Sequence, residues 1–360
     1  MVEKQESEVR SQESEGPRVR LYRWRRVSSV SCLLTSAFTF VLTAHCLLPT
    51  AYAASWVRQP SGTMAWLHAV YFLDQNRGWV GGSSGAFLQT TDGGVKWSRA
   101  PFVTKDTLID IYFADEKIGW LLAQRDPLKL KANERSSYLL NTNDGGVTWQ
   151  RVFLNTADVN TRFTRMLFTD AEHGWVFGES GVLFATSDGG EHWIPQRSAT
   201  QHLLLGGAFA NDNRGFIVGA DATIMQSDDH GSTWQLIAPH QGQRARLNAV
   251  TAVQNRAWAV GSAGQIIATA NGRDWFVQRS NVDADLTDIR FVDTREGWAV
   301  GTQGTLLHTT DGGFHWMAEA IAVTHPLERL FVSDRNHAWA VGFGGTILRF
   351  GETSAPQLKP

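Results

Sequence analysis

The 360-residue chain has only two cysteines, Cys32 and Cys46, and both lie within its first 54 residues. The remainder therefore offers no disulfide, no thiolate nucleophile and no cysteine-ligated metal. Tyrosine is scarce, with five residues against fifteen tryptophans, and Tyr22 and Tyr52 fall in the same leader. No lysine-rich tract occurs. The first 54 residues hold seven Lys/Arg and five Asp/Glu, which leaves 26 against 30 for the rest. A mildly acidic body excludes the electrostatics of nucleic-acid binding. The long apolar run from Val27 to Leu48 stands apart from the short, broken apolar stretches that follow it.

That run defines a leader. Arg18, Arg20, Arg23, Arg25 and Arg26 precede it, and Pro49 and Ala51-Tyr52-Ala53-Ala54 follow it. Residues 1–26 read as a polar, basic region. Residues 27–54 read as a secretory signal with a small-residue site at 51–53, cleaved after Ala53. The alternative is an uncleaved anchor through residues 27–48, since the run is long enough to span a bilayer. Either way the body is expected to be exported, to the periplasm or an equivalent compartment. It touches the membrane through the leader only if cleavage fails. Cys46 follows His45, where a lipidation signal wants a small residue.

What the body has in abundance is repetition. Seven units align on Gly78-Trp79, Gly119-Trp120, Gly174-Trp175, Gly215-Phe216, Ala257-Trp258, Gly297-Trp298 and Ala338-Trp339. Their aromatic positions are spaced by 41, 55, 41, 42, 40 and 41 residues. A period near forty means that one supersecondary unit is copied. Each unit offers four short β runs separated by turn signals, which predicts an all-β, seven-bladed propeller of four-stranded antiparallel blades over residues 55–350. The last unit stops after its third run, at Gly345 to Phe350, and the missing strand stands at the other end as Ser55-Trp56-Val57-Arg58. Trp56 is therefore expected to complete the last blade and close the ring. Residues 351–360 form a tail.

Six units carry a Thr-x-Asp-Gly-Gly-x-x-Trp box or a decayed copy of it. Its acidic or amide positions are Asp92, Asp144, Asp188, Asp229, Asn271 and Asp311. Its tryptophans are Trp97, Trp149, Trp193, Trp234, Trp275 and Trp316. The box falls between the third and fourth strands. There the Asp is expected to accept backbone N–H groups about two residues on, while the glycines supply positive φ. The Trp packs its ring on a neighbouring strand. A carboxylate tied to its own turn is a poor catalytic acid, so these residues read as structural. In the fifth unit, Asn271-Gly272-Arg273-Asp274-Trp275 is one residue shorter.

Boxes of this kind also frame sialidases, which need an arginine triad and a tyrosine nucleophile. Of the body's tyrosines, Tyr71 and Tyr112 occupy equivalent framework positions, leaving Tyr138. Asp110 and Asp288 are expected to face the ring axis, yet they sit in the second and sixth units with other blades between them. Histidines are scattered singly apart from a weak proximity of His308 and His315. No catalytic residue, cofactor site or metal site is assigned. A glycoside hydrolase remains the enzyme alternative.

The loops joining strand two to three, and one blade to the next, share one face, opposite the boxes. That face collects the insertion Gln124 to Ser137, with Arg125, Lys129, Lys131 and Arg135. Arg162, Arg244 and Arg246 lie in linkers, and Arg165 and Arg329 begin first strands. These nine cations are the candidate partner contacts, suited to an acidic protein segment. Arg58, Arg99, Arg151, Arg197 and Arg279 follow fourth-strand tryptophans and read as charges guarding edge strands.

The run Phe291-Val292-Asp293-Thr294-Arg295-Glu296-Gly297-Trp298-Ala299-Val300-Gly301, continued by Gly304 to Trp316, closely resembles the photosystem II stability and assembly factor family. The resemblance covers nearly all of residues 55–350. It implies a non-enzymatic propeller that scaffolds a membrane-protein complex; the chain itself is expected to be a monomer. In a photosynthetic host it implies the thylakoid lumen and a photosystem II reaction-centre subunit as partner. A periplasmic accessory protein of a bacterial membrane or export complex is the second expectation.

Overall fold

The computed structural model describes residues 54–101, 103–210, 213–237 and 245–351. Among them strands alternate with turns and short 3-10 segments, and they form seven four-stranded sheets. Six sheets are consecutive in sequence: the first is Leu67–Phe72, Gly78–Gly82, Phe87–Thr90 and Ser98–Arg99. The seventh joins Leu327–Asp334, His337–Gly342 and Thr346–Gly351 to Ser55–Gln59. Trp56 pairs in register with Phe350, and their rings lie 5.3 Å apart. The ring is closed by the N-terminal strand, as the misplaced fourth run predicts.

First strands open with alternating burial, as Leu67 and Ala69 flank half-buried His68. The second strands Gly78–Gly82, Gly174–Gly178 and Gly297–Gly301 are buried throughout, as expected of blades stacked face to face. Each first strand carries a register shift near its start, for example between Leu108 and Asp110 and between Leu286 and Asp288. The shift turns the skipped residue toward the next blade. Thr287 Oγ1 donates to the Leu327 carbonyl at 2.7 Å, and Asn248 Nδ2 to that of Leu286 at 2.8 Å.

Second-strand tryptophans of several blades join blade to blade. Trp339 stacks on Phe72 at 3.6 Å, Trp79 on Phe113 at 3.9 Å and Trp258 on Phe291 at 3.7 Å. Three indole N–H groups reach into the following blade's box: Trp175 donates to the Gly231 carbonyl at 3.1 Å and Trp258 to that of Gly312 at 3.0 Å. Trp339 repeats the bond across the closure, to Gly93 at 3.0 Å. Each such joint adds an aromatic contact of about 0.5–1.5 kcal/mol to the buried area. The box glycines are needed here. Gly94 has φ +83°, and a Cβ on it would stand 2.7 Å from the Trp339 indole nitrogen.

Candidate partner-binding face and ring axis

The box closes on itself over a longer span than the sequence suggests. Asp92 Oδ1 accepts from the Lys96 N–H at 2.9 Å, four residues on, and also from the Thr90 hydroxyl. Asp144, Asp188, Asp229 and Asp311 repeat that four-residue bond with Thr148, His192, Thr233 and His315. Only the shortened box uses near neighbours, with Asn271 Oδ1 accepting from Arg273 and Asp274 at 2.9 Å. The expectation of a two-residue span is corrected by the second glycine. Its N–H goes to the leading hydroxyl, as Gly94 to Thr90, and carries the loop one turn further. Hydrogen bonds from the Thr148 hydroxyl and N–H hold the Asp144 carboxyl down at about 2. Those from the His192 N–H and ring do the same for Asp188, also at about 2. Trp97, Trp149 and Trp193 are half-buried, while Trp234, Trp275 and Trp316 are buried. Asp188, Glu191 and His192 approach one another on the exposed box of blade three, where His192 Nδ1 is already bonded to Asp188 at 2.7 Å.

The axis is more tightly knit than separate blades imply. Its innermost column reads Ala69, Asp110, Arg165, Gly206, Ala249, Asp288 and Arg329, in equivalent registers. Arg165 of blade three lies 4.0 Å from Asp288 of blade six, so side chains meet across the ring despite the blades between them. Asp288 is fully buried. It accepts the N–H groups of Ile289 and Leu330 and pairs with Arg290 at 3.2 Å. Burial pushes its carboxyl up, but Arg290, then Arg165 and Arg329, outweigh burial and hold it below the ordinary value. Asp110 likewise accepts from Ile111 and from Met166 of the next blade. A general acid needs a raised pKa and a substrate within reach. Asp288 has neither.

Burial, and then repulsion by Arg329, lowers the Arg165 guanidinium to about 10. Arg165 is thus an axial strut rather than a surface cation, which corrects its place among the partner contacts. Its sequence position at the start of a first strand is shared with Asp110 and Asp288, and that column points inward. The repeat pattern alone does not mark Arg290. The available signal was its place two residues beyond Asp288, in the column shared by Tyr71, Tyr112 and Phe331.

That second column divides the box-side mouth. Tyr71 meets Tyr112 at 5.6 Å and Phe331 at 5.5 Å, filling one half. Leu167, Ala208, Thr251 and Arg290 fill the other half less, and a cavity of about 830 Å³ opens beside them. The opposite mouth holds a smaller polar cavity of about 250 Å³, lined by Arg246, Arg329, Asn248 and Thr287 together with Asp285 and Glu328.

The other cations divide into two kinds. Arg125 donates to the Arg135 carbonyl at 2.8 Å and lies over the Tyr138 ring, and Arg135 donates to Thr156 at 2.8 Å. Both are half-buried and brace the insertion from within. The insertion is long enough to need its own internal bonds. Arg162 is half-buried and its backbone bonds Glu179. Lys129, Lys131 and Arg246 are exposed, with Lys129 paired to Asp126 at 3.1 Å. Beside them Leu128 is 94% exposed. Arg244, residues 1–53 and residues 352–360 lie outside the described residues. His308 and His315 do not form a pair: His308 bonds Glu296 and Glu319, and His315 bonds Asp311.

Comparison with known proteins agrees with this architecture. The family model described as Photosynthesis system II assembly factor YCF48 matches residues 100–197, 192–279 and 267–349. A photosystem II assembly lipoprotein, Ycf48, of Synechococcus sp. (strain CC9902) is 27% identical over 301 residues, covering 78% of this chain and 83% of its own. The chloroplastic photosystem II stability/assembly factor HCF136 of Arabidopsis thaliana is 26% identical over 125 residues. That match spans 32% of this chain and only 31% of the relative's length. A solved structure described as YCF48 bound to D1 peptide shares the fold, with TM-score 0.68 and 18% identity over 83% of this chain and 97% of that one. With the repeat matched through most of the ring, the chain belongs to the Photosynthesis system II assembly factor YCF48 family.

Proposed function

We propose that this protein is an exported, non-catalytic assembly factor that holds a segment of a membrane-protein subunit against the mouth formed by its blade-to-blade connections. The observation that carries the reading is the family match through residues 100–349. The chemistry of the mouth supports it. Exposed Arg246 and the Arg329 wall offer cationic donors, while Glu328 and Asp285 limit the net charge and favour a segment with mixed polar groups. Exposed Lys129, Lys131 and Leu128 on the insertion extend that surface. The subunit of first choice is the photosystem II reaction-centre protein whose peptide appears in the relative's structure. Residues 27–54 serve as the export signal, in keeping with relatives named as lipoprotein and chloroplastic.

The test is a titration of a D1 peptide against the wild-type chain and an Arg246→Glu/Lys129→Glu variant. Micromolar binding that weakens at least tenfold in the variant supports the reading. Equal binding by both would move the site elsewhere on the ring. No binding by either would remove the photosystem subunit and leave an accessory role in another membrane complex.

A further inference from the structure

Every fourth strand is a sheet edge with no strand beyond it in its sheet, and most of these edges are defended. Blades one and two present Ser98-Arg99 and Gln150-Arg151. Blade three exposes Ile194 but follows it with Pro195, which has no N–H to offer a new strand. Blades four, five and six carry no charge or proline within the strand, and blade five, with Phe276-Val277-Gln278, exposes two large apolar side chains there where blade four exposes Leu236 and blade six Met317. Phe276 is 63% and Val277 58% exposed, and Phe314 from the blade-six box, 76% exposed, stands across from them.

Between these side chains runs a cleft of about 450 Å³. Its floor is Trp258 with Gly312 and Gly313, and Gln278 fastens it. The Gln278 amide donates to the Gly312 carbonyl at 2.9 Å and accepts from the Trp316 indole at 3.3 Å. The equivalent Gln196 makes the same bond to Gly231 at 3.0 Å, but there the box carries Ser232 in place of a phenyl ring. Arg256 and exposed Arg279 stand at the border. Among the described residues no carboxylate lines the cleft; the Arg256 guanidinium donates to the Thr294 carbonyl at 3.4 Å, and Arg279 is exposed at its rim. Exposed apolar surface beside an exposed cation on an open strand edge is a recognition surface for a strand with complementary side chains.

We propose that this cleft docks an extended peptide segment in which acidic and bulky apolar side chains alternate. The segment adds as an outer strand along Phe276–Gln278. Its apolar side chains sit on Phe276 and Phe314, and its carboxylates, on the opposite face of the added strand, meet Arg279. Period-two alternation is required because neighbouring side chains of an added strand point to opposite faces. The cleft lies on the outer rim between blades five and six, away from the basic mouth, so the two sites stand or fall separately.

The probe is a fluorescein-labelled heptapeptide, Glu-Phe-Asp-Leu-Glu-Phe-Asp, titrated against the full chain by anisotropy. A second peptide of the same composition has its acidic and apolar residues segregated into blocks. We expect saturable binding of the alternating peptide, at least fivefold weaker binding of the segregated one, and at least tenfold loss in a Phe276→Ser/Phe314→Ser variant of unchanged melting temperature. Arg279→Glu should weaken binding at least threefold, while Arg246→Glu should leave it unchanged. Equal binding of both peptides, undiminished binding by the double serine variant, or no saturation would overturn the proposal. So would sedimentation showing a wild-type dimer that the serine variant dissociates, because a second copy would then be the occupant.

Discussion

Blades seven, one and two and blades four and five are written in the same repeat, yet they differ at the axis and at the joints. In the first group Phe331, Tyr71 and Tyr112 fill the axis, and Trp339 carries the ring closure by stacking on Phe72 and bonding Gly93. In the second group Ala208 and Thr251 leave the axis open beside the 830 Å³ cavity. Phe216 stands where a tryptophan would be, and the shortened box is met by Arg214 Nη1 on the Asn271 carbonyl at 3.2 Å. The difference lies at the axis and at single joints: Trp258 of blade five stacks on Phe291 and bonds Gly312 as completely as Trp339 does Phe72 and Gly93, while blade four has given up its tryptophan. Repeat positions that no longer carry a joint or fill the axis are free to shape cavities and clefts.

The largest test of this contrast is Trp339→Ala. The side chain is fully buried and bridges the last blade to the first. Truncating a buried aromatic costs about 3–5 kcal/mol. Chemical denaturation should show that loss together with easier proteolysis near Ser55–Gln59. Loss below about 2 kcal/mol would mean that closure rests on the Ser55–Gln59 strand pairing instead. Gly94→Ala probes the same joint from the other side. The left-handed backbone and a Cβ 2.7 Å from the Trp339 indole together should cost about 2–3 kcal/mol. Gly62 has a similar φ, but a Cβ on it would meet nothing within 4 Å. Gly62→Ala should therefore cost only the backbone part, about 1–2 kcal/mol.

A reciprocal exchange sharpens the comparison at smaller scale. Trp339→Phe keeps most of the stack and removes only the donor to Gly93, at a cost of about 1–2 kcal/mol. Phe216→Trp puts an indole where Gln226 and Arg214 already surround Gly272. It should destabilise by about 1–3 kcal/mol through overpacking. A gain in stability from Phe216→Trp would show that the blade-four joint is merely a decayed copy of the others.

Much of this was legible in the sequence because periodicity writes the same face seven times. Strand number, the antiparallel blades and closure by Trp56 follow from spacing and from the displaced fourth run. The box could be recognised but its span could not, because which N–H reaches Asp92 depends on where Gly94 places its own. The axial cluster was half legible. Alternating Asp110, Arg165, Asp288 and Arg329 could be read as one column. The approach of Arg165 to Asp288 across the ring depends on the width of the axis, which no local pattern encodes. For the same reason the sequence could not tell that Arg125 and Arg135 turn inward to hold the insertion. Composition reports a cation, while only the fold reports what already occupies it.

The pH dependence separates blade six from blade five at the smallest scale. In the column opposite the second-strand tryptophan, blade six carries His308 and blade five Ala268. His308 stacks on Trp298 at 4.6 Å and bonds Glu296 and Glu319, each at 3.2 Å. Burial works against its charged form, but the bonds from Glu319 and Glu296 outweigh it and raise the imidazole above its ordinary 6.5. A raised folded-state pKa contributes stability that is fully present below the unfolded value and is lost as pH rises through the folded one. Asp144 and Asp188, depressed from 3.8 to about 2, act with the opposite sign: their contribution is present above 3.8 and lost as pH falls toward 2. The melting temperature of wild type should therefore exceed that of His308→Gln most at pH 5.5, and the gap should narrow above pH 7 as the imidazole loses its proton. A gap that is constant from pH 5.5 to 9 would mean that His308 acts by stacking alone. Blade six would then differ from blade five only in the area its ring covers.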